Sequence, residues 1–147
     1  MSTLTEPKIN TTDTATLKVA TADLASFLPE LSGGLSAESF PSVFATSRLV
    51  ALMELAAARI LVPFLPDGHL SVGVSIDITH SAPTPLDARV EAEAKYLGKK
   101  GKLFEFEIIA RDEKGEIGKA RHVRAMVDVK RLETAAEGRR EKKEESL

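Results

Sequence analysis

Hydrophobic and polar positions change their spacing twice along this chain, and the changes divide it. Residues 1 to 14 carry Thr, Ser and charge without a period and predict a flexible N-terminal segment. A short strand is expected over Ala15 to Ala20, followed by a stretch punctuated by Pro29, Gly33, Gly34 and Pro41 that reads as irregular with a helical turn. From Thr46 the run TSRLVALMELAAARILV reaches Pro63 without Gly or Pro and consists of good helix formers, so one long helix is predicted. Thr46 or Ser47 stands where a hydroxyl can cap its first turn.

Beyond the PFLPDG turn the period drops to two. Residues 69 to 80 are the first such run. Val90, Ala92, Ala94 and Tyr96 then alternate with Arg89, Glu91, Glu93 and Lys95, and Phe104, Phe106 and Ile108 alternate with Glu105 and Glu107. In the last run Val123, Ala125, Val127 and Val129 alternate with His122, Arg124 and Asp128; His122 shares its strand face with Arg124, and either side can face the core. GKKGK and DEKGE supply the turns between strands. A single apolar helix needs a sheet wide enough to curl around it, and a sheet from one chain keeps open edges that a second copy can pair.

The element order therefore predicts the α+β class and a hotdog fold: one long central helix wrapped by a curved antiparallel sheet of about five to six strands, paired as a homodimer. An antiparallel sheet backed by helices is the nearest competitor. The domain is expected over residues 15 to 132, with 133 to 147 a charged tail that has no apolar face to dock.

Composition narrows the chemistry. The chain of 147 residues is 43% hydrophobic and 29% charged, as an ordinary single globular domain is. Its 20 basic and 22 acidic residues nearly cancel and aromatic residues are few, which argues against nucleic-acid binding. Without cysteine there are no disulfides, thiol nucleophiles or cysteine zinc sites, so Ser, Thr, His and carboxylates remain. Three scattered histidines give no metal motif. No signal-like apolar segment or membrane-length run is visible, so a cytoplasmic location and no membrane partner are expected.

Glu54 is out of place on its helix. Arg48 and Arg59, eleven residues apart, share nearly one stripe, and Glu54 stands about 120° from it. Its neighbours at three and four residues are Val50, Ala51, Ala57 and Ala58, none of them basic. Such a carboxylate either reaches water or sits in a cavity tuned for work. Read alone, Glu54 as a solvated residue, Thr46 as a plain cap and His80 as a strand-end residue bonded to backbone are the simpler readings.

The stretch VFATSRLVALMELAA, followed 26 residues after Glu54 by His80 in THSAPTP, resembles the fluoroacetyl-CoA thioesterase family of hotdog proteins. Members carry Phe-Ala-Thr, a helix with one Glu, and Thr-His-x-Ala-Pro-Thr-Pro, and the resemblance spans residues 38 to 130. It implies thioester hydrolysis with Thr46, Glu54 and His80 as the catalytic set, and with Phe40 in a lid and Gly73 lining the acyl pocket. The expected substrate is a short or medium acyl-CoA in general, with coenzyme A as part of the substrate and no separate cofactor. Phe27, Phe40, Phe44 and Phe64 offer apolar rings near the site, and Lys99, Lys100, Lys119, Arg121 and Arg124 are candidates to meet the CoA phosphates. A hotdog hydratase or dehydratase and a non-catalytic acyl-CoA-binding dimer are the alternatives.

Overall fold

The run free of Gly and Pro is helical: α1 spans Thr46–Leu61 and gives way to a 3-10 turn at Val62–Phe64, where Pro63 cannot extend the ladder. Leu49, Leu52, Met53, Ala56, Ala57, Ile60 and Leu61 lie buried on one side, while Arg48, Leu55 and Arg59 face outward. The structure, a computed structural model, describes residues 5–34 and 37–145, with side chains described through residue 140. The first four residues of the expected N-terminal segment and the last two of the tail lie outside the described residues.

One antiparallel sheet of five strands curls around α1: β1 (Thr12–Lys18), β2 (His69–His80), β3 (Arg89–Lys100), β4 (Leu103–Asp112) and β5 (Gly115–Asp128). Their order, β1-β3-β4-β5-β2, leaves β1 and β2 as the outer strands, and α1 packs across the inner face chiefly on β1 and β3. This is the hotdog architecture. The core comprises the buried side of α1 together with Val90, Ala92, Ala94 and Tyr96 of β3 and Phe104, Phe106, Ile108 and Ala110 of β4. Those two strand faces follow the period read from the sequence.

On β5, whose period left the inner side open, the polar side goes inward. His122 and Arg124 are buried, whereas Val123, Ala125 and Val127 are only partly covered. The pairing register decides this: Phe104 stands opposite Arg124 and Phe106 opposite His122, and paired residues share a face of the sheet. The aromatic side of β4 belongs to the helix, so the polar side of β5 goes inward with it.

Both ends of the domain also differ from expectation. β1 begins at Thr12, because Thr12, Asp13 and Thr14 pair with Lys95, Ala94 and Glu93; main-chain bonding to a neighbouring strand needs no apolar period. Upstream of it, the Glu6 carboxylate accepts from the Tyr96 hydroxyl, giving a fully buried ring the polar partner it requires. At the other end β5 stops at Asp128, whose carboxylate accepts the Arg131 N–H at 3.0 Å and caps a helix, α2 (Val129–Glu145), where strand and then an undocked tail were expected. Its side chains from Lys130 to Arg140 are almost all exposed. No helix among the described residues is long and apolar enough to cross a membrane.

Candidate active site

The sheet and the loop before α1 bring Thr46 to His80. His80, the last residue of β2, pairs with Gly118, where a Cβ would stand 2.8 Å from the Thr79 carbonyl oxygen and 3.1 Å from Leu49 Cδ2. Only glycine lets β5 and α1 approach the strand end this closely. After His80 the chain turns through Ser81, whose N–H donates to the Ile117 carbonyl at 2.8 Å. Thr84, fully buried in the proline turn, donates its hydroxyl to Asp112 Oδ2 at 2.8 Å and accepts the Phe44 N–H on its carbonyl at 2.8 Å. That second bond ties the segment entering α1 to the histidine turn.

The N-cap of α1 is Ala45, and no side chain caps the helix, contrary to the hydroxyl cap expected of Thr46 or Ser47. Thr46 is already the first helical residue, and its Oγ1 lies 2.8 Å from His80 Nδ1. Phe44 presents its ring edge-on to the imidazole, centroids 6.5 Å apart at 79°. The other ring nitrogen, His80 Nε2, is buried without a hydrogen-bond partner among the described residues. A cavity of about 270 Å³ opens here, lined by Ala25, Val43, Phe44, Thr46, His80, Ser81, Ala82 and Pro83. Burial lowers the His80 pKa below 6.5, with the Ala82 backbone working against it, so the ring is neutral at neutral pH.

Glu54 has a cation after all, supplied from across the sheet. Its Oε2 accepts from Arg124 Nη1 at 3.0 Å, and Arg124 is only 6% exposed. Arg124 also donates through Nε to Ser71 Oγ at 3.0 Å and through Nη2 to the Ser71 carbonyl at 3.1 Å. Its Nη1 further lies 3.1 Å from His122 Nε2, and His122 Nδ1 lies 2.8 Å from the Ser75 carbonyl. Gly73 faces this cluster beside the bulge at Val74. A Cβ there would overlap Glu54 Oε2 and stand 3.3 Å from His122 Cε1, so the space at Gly73, expected beside an acyl group, is filled by the Glu54 carboxylate.

Within one chain these two clusters are separate. Eight residues of helix put about 12 Å between Thr46 and Glu54, and the stretch of β2 from Gly73 to His80 runs for roughly 20 Å. Of the four phenylalanines, only Phe44 meets His80. Phe40 is 44% exposed and outside the cavity lining, Phe27 lines a separate groove with Leu28, Leu31 and Arg48, and Phe64 lies in the turn after α1. Arg124 is not one of the surface cations it was grouped with; Lys99 lies over the Phe104 ring at 5.4 Å, and Lys119 pairs with Glu116 at 3.8 Å. Ser71 and Ser75 were not singled out from sequence, and His122 was placed on one strand face with Arg124 without a choice of side. The signal available was a His-x-Arg pair whose face continues to the small Ala120, opposite a strand with phenylalanines.

The family model for fluoroacetyl-CoA-specific thioesterases matches residues 19–130. The fluoroacetyl-CoA thioesterase of Streptantibioticus cattleyicolor is 37% identical over 93 residues, 63% of this chain and 67% of that protein. A solved structure of fluoroacetyl-CoA thioesterase superposes with a TM-score of 0.81 at 29% identity, covering 89% of this chain and 96% of that one. A Thermus thermophilus member of the thioesterase superfamily shares the fold at a TM-score of 0.84 and 22% identity, covering 96% and 98% of the two chains. The family model spans the segment that carries both clusters, the relative and the fold agree with it, and the chain belongs to the fluoroacetyl-CoA-specific thioesterase family.

Proposed function

We propose that the protein hydrolyses short acyl-CoA thioesters, with Thr46, Glu54 and His80 as its catalytic set. The observation that carries this reading is the Thr46–His80 hydrogen bond at the wall of a cavity, with His80 Nε2 unpartnered beside it. A volume of about 270 Å³ suits a short acyl group and the thioester rather than a long chain. Solved forms of fluoroacetyl-CoA thioesterase hold acetyl-CoA, and fluoroacetate together with CoA, which supports the same substrate class here.

In the reaction an oxygen nucleophile bonds the acyl carbon, the C–S bond breaks and the CoA thiolate takes up a proton. Neutral His80, anchored at Nδ1 by the Thr46 hydroxyl, carries that proton on Nε2. The first N–H groups of α1, at Thr46 and beyond, favour the oxyanion that forms on the carbonyl. The Glu54 carboxylate serves as nucleophile or as base for water.

Because Glu54 lies far from His80 in its own chain, it acts on a thioester held by a second copy. Among the described residues the outer edge of β2 has no strand beside it along its 12 residues, and the strand carries Leu70 and Val74 at 55% and 53% exposure, as a surface awaiting a partner does. Two β2 strands paired antiparallel near Ile76 and Asp77 set Gly73 and Glu54 of one copy opposite His80 of the other. Phe44 shapes the cavity, Arg124 holds Glu54, and Gly73 leaves room for its carboxylate.

The test is a panel of acyl-CoAs of increasing chain length with a thiol reagent reporting free CoA. Short chains are expected to turn over, and Glu54→Ala and His80→Ala to lose at least about a hundredfold in kcat. Turnover of none of the panel, or full activity in both variants, refutes the assignment. Hydration of an enoyl-CoA without thiol release assigns the protein to the hydratases instead.

A further inference from the structure

The buried His122 is not used by that reaction scheme, yet its two hydrogen bonds leave it no freedom. The Ser75 carbonyl only accepts, so His122 Nδ1 carries the proton and donates to it at 2.8 Å. An arginine N–H only donates, so His122 Nε2 is unprotonated and accepts from Arg124 Nη1 at 3.1 Å. The two contacts together fix one neutral tautomer. The ring is 2% exposed and packed 6.3 Å from the Phe106 ring, which leaves no water to replace either partner.

Arg124 in turn has its guanidinium held on three sides, by Ser71 Oγ, the Ser71 carbonyl and His122 Nε2, with the remaining contact from Nη1 going to Glu54 Oε2. A long side chain fixed at three points is a rigid platform, and the group it presents is the Glu54 carboxylate. We propose that His122 is a positioning residue: clamped to the Ser75 carbonyl as the Nδ1–H tautomer, it holds Arg124 through Nε2 and thereby aims Glu54 at the thioester. The bulge at Val74 and the bare Gly73 keep this chain of contacts open, since a Cβ at Gly73 would press on Glu54 and on the imidazole.

The clamp responds to acid. A second proton on His122 would turn Nε2 into a donor facing the Arg124 donor, and the contact would break. Arg124 on β5 and Glu54 on α1 are the charged groups facing the ring, while β2 contributes only Ser71 and Ser75 and β4 contributes Phe106. Burial lowers the His122 pKa below 6.5, against the pull of the Ser75 carbonyl and with the help of Arg124, which preserves the neutral form at neutral pH.

The inference rests on the thioesterase reading, and two measurements on the full chain separate them. First, nitrogen-15 NMR of the histidine rings in the wild-type protein reads the tautomer without any turnover. Nδ1–H on His122 is expected, persisting below pH 6.5; an Nε2–H tautomer or a cationic ring at neutral pH overturns the clamp even if acyl-CoAs are hydrolysed. Second, His122→Asn keeps a donor near Nδ1 but no acceptor for Arg124, whereas His122→Gln keeps an acceptor near Nε2. With comparable melting temperatures, His122→Asn is expected to lose roughly a hundredfold in kcat with KM little changed, and His122→Gln to recover most of it. Equal losses in both, or a loss confined to KM, would assign His122 a purely structural role and overturn the proposal.

Discussion

His80 and His122 illustrate how far one residue's identity is from its role until its neighbours are known. Both are buried enough that burial is the largest influence on their protonation, and both have a pKa lowered from 6.5. The direction has a consequence for stability. In the window just below pH 6.5 the unfolded chain takes up protons on these rings while the folded chain does not, so the unfolded state binds more protons and stability falls as pH falls. The thermal midpoint is therefore expected to drop on acidification from neutral pH through 6.5, before carboxylates titrate, while kcat holds until the pH falls below the lowered His80 pKa, where a proton on Nδ1 ends its bond from the Thr46 hydroxyl. A midpoint that stays level or rises across that window, measured by circular dichroism, contradicts the assignment of neutral buried rings. Glu54 shows what a local reading leaves out. Its helical neighbours contain no base, as the sequence says, but its partner Arg124 comes from 70 residues downstream, and no spacing rule within a helix reaches that far.

At the scale of elements, periodicity served where the apolar face is the buried one and could not choose a side where polar residues go inward. α1, β3 and β4 were legible because their buried sides are continuous rows of apolar residues. On β5 the row of Val123, Ala125 and Val127 is as regular as any, yet it faces away from α1. Which side goes inward is a matter of pairing with Phe104 and Phe106, information that resides in another strand. That open choice falls on the site, since the period alone leaves His122 and Arg124 indistinguishable from solvated charges. Thr46 and His80 were found through the motif around each, and the turn residues between His80 and Thr84 explain why the motif is needed. Two glycines in the strands then separate stability from positioning. Gly118→Ala drives a methyl into the Thr79 backbone carbonyl, which cannot step aside, so a loss of about 2 kcal/mol in stability is expected together with lost activity. Gly73→Ala meets the end of the flexible Glu54 side chain, so the melting temperature is expected to hold while kcat falls. Calorimetry and kinetics on the two variants check the contrast, and it fails if Gly73→Ala unfolds the protein or Gly118→Ala leaves it unchanged.

The whole molecule raises the question that neither residues nor elements answer: how, in the proposed catalytic set, a carboxylate on the middle of α1 would serve a histidine at the far end of β2. A monomer offers no route, because about 12 Å of helix and roughly 20 Å of strand separate the two clusters. The proposed pairing of β2 edges about a two-fold axis offers one, and it would make each active site a composite of both copies. Mixing inactive variants tests this directly. A chain with Glu54→Ala keeps Thr46 and His80, and a chain with His80→Ala keeps Glu54; each homodimer is inactive by itself. In a mixed dimer with composite sites, one site draws its intact Thr46–His80 pair from the first chain and its intact Glu54 from the second, while the other site lacks both. Random exchange places half of the molecules in mixed dimers with one of two sites whole, so about a quarter of wild-type activity is expected on co-refolding the two variants. If instead each chain builds its own site, every site in the mixture lacks either Glu54 or His80 and nothing is regained. Light scattering on the same samples supplies the second readout: a particle that stays at the mass of one chain excludes the composite site outright, whatever the activity. If the pairing uses the β2 edge as proposed, Val74→Lys on either variant is expected to shift the mass toward the single chain and to abolish the regained activity together with it.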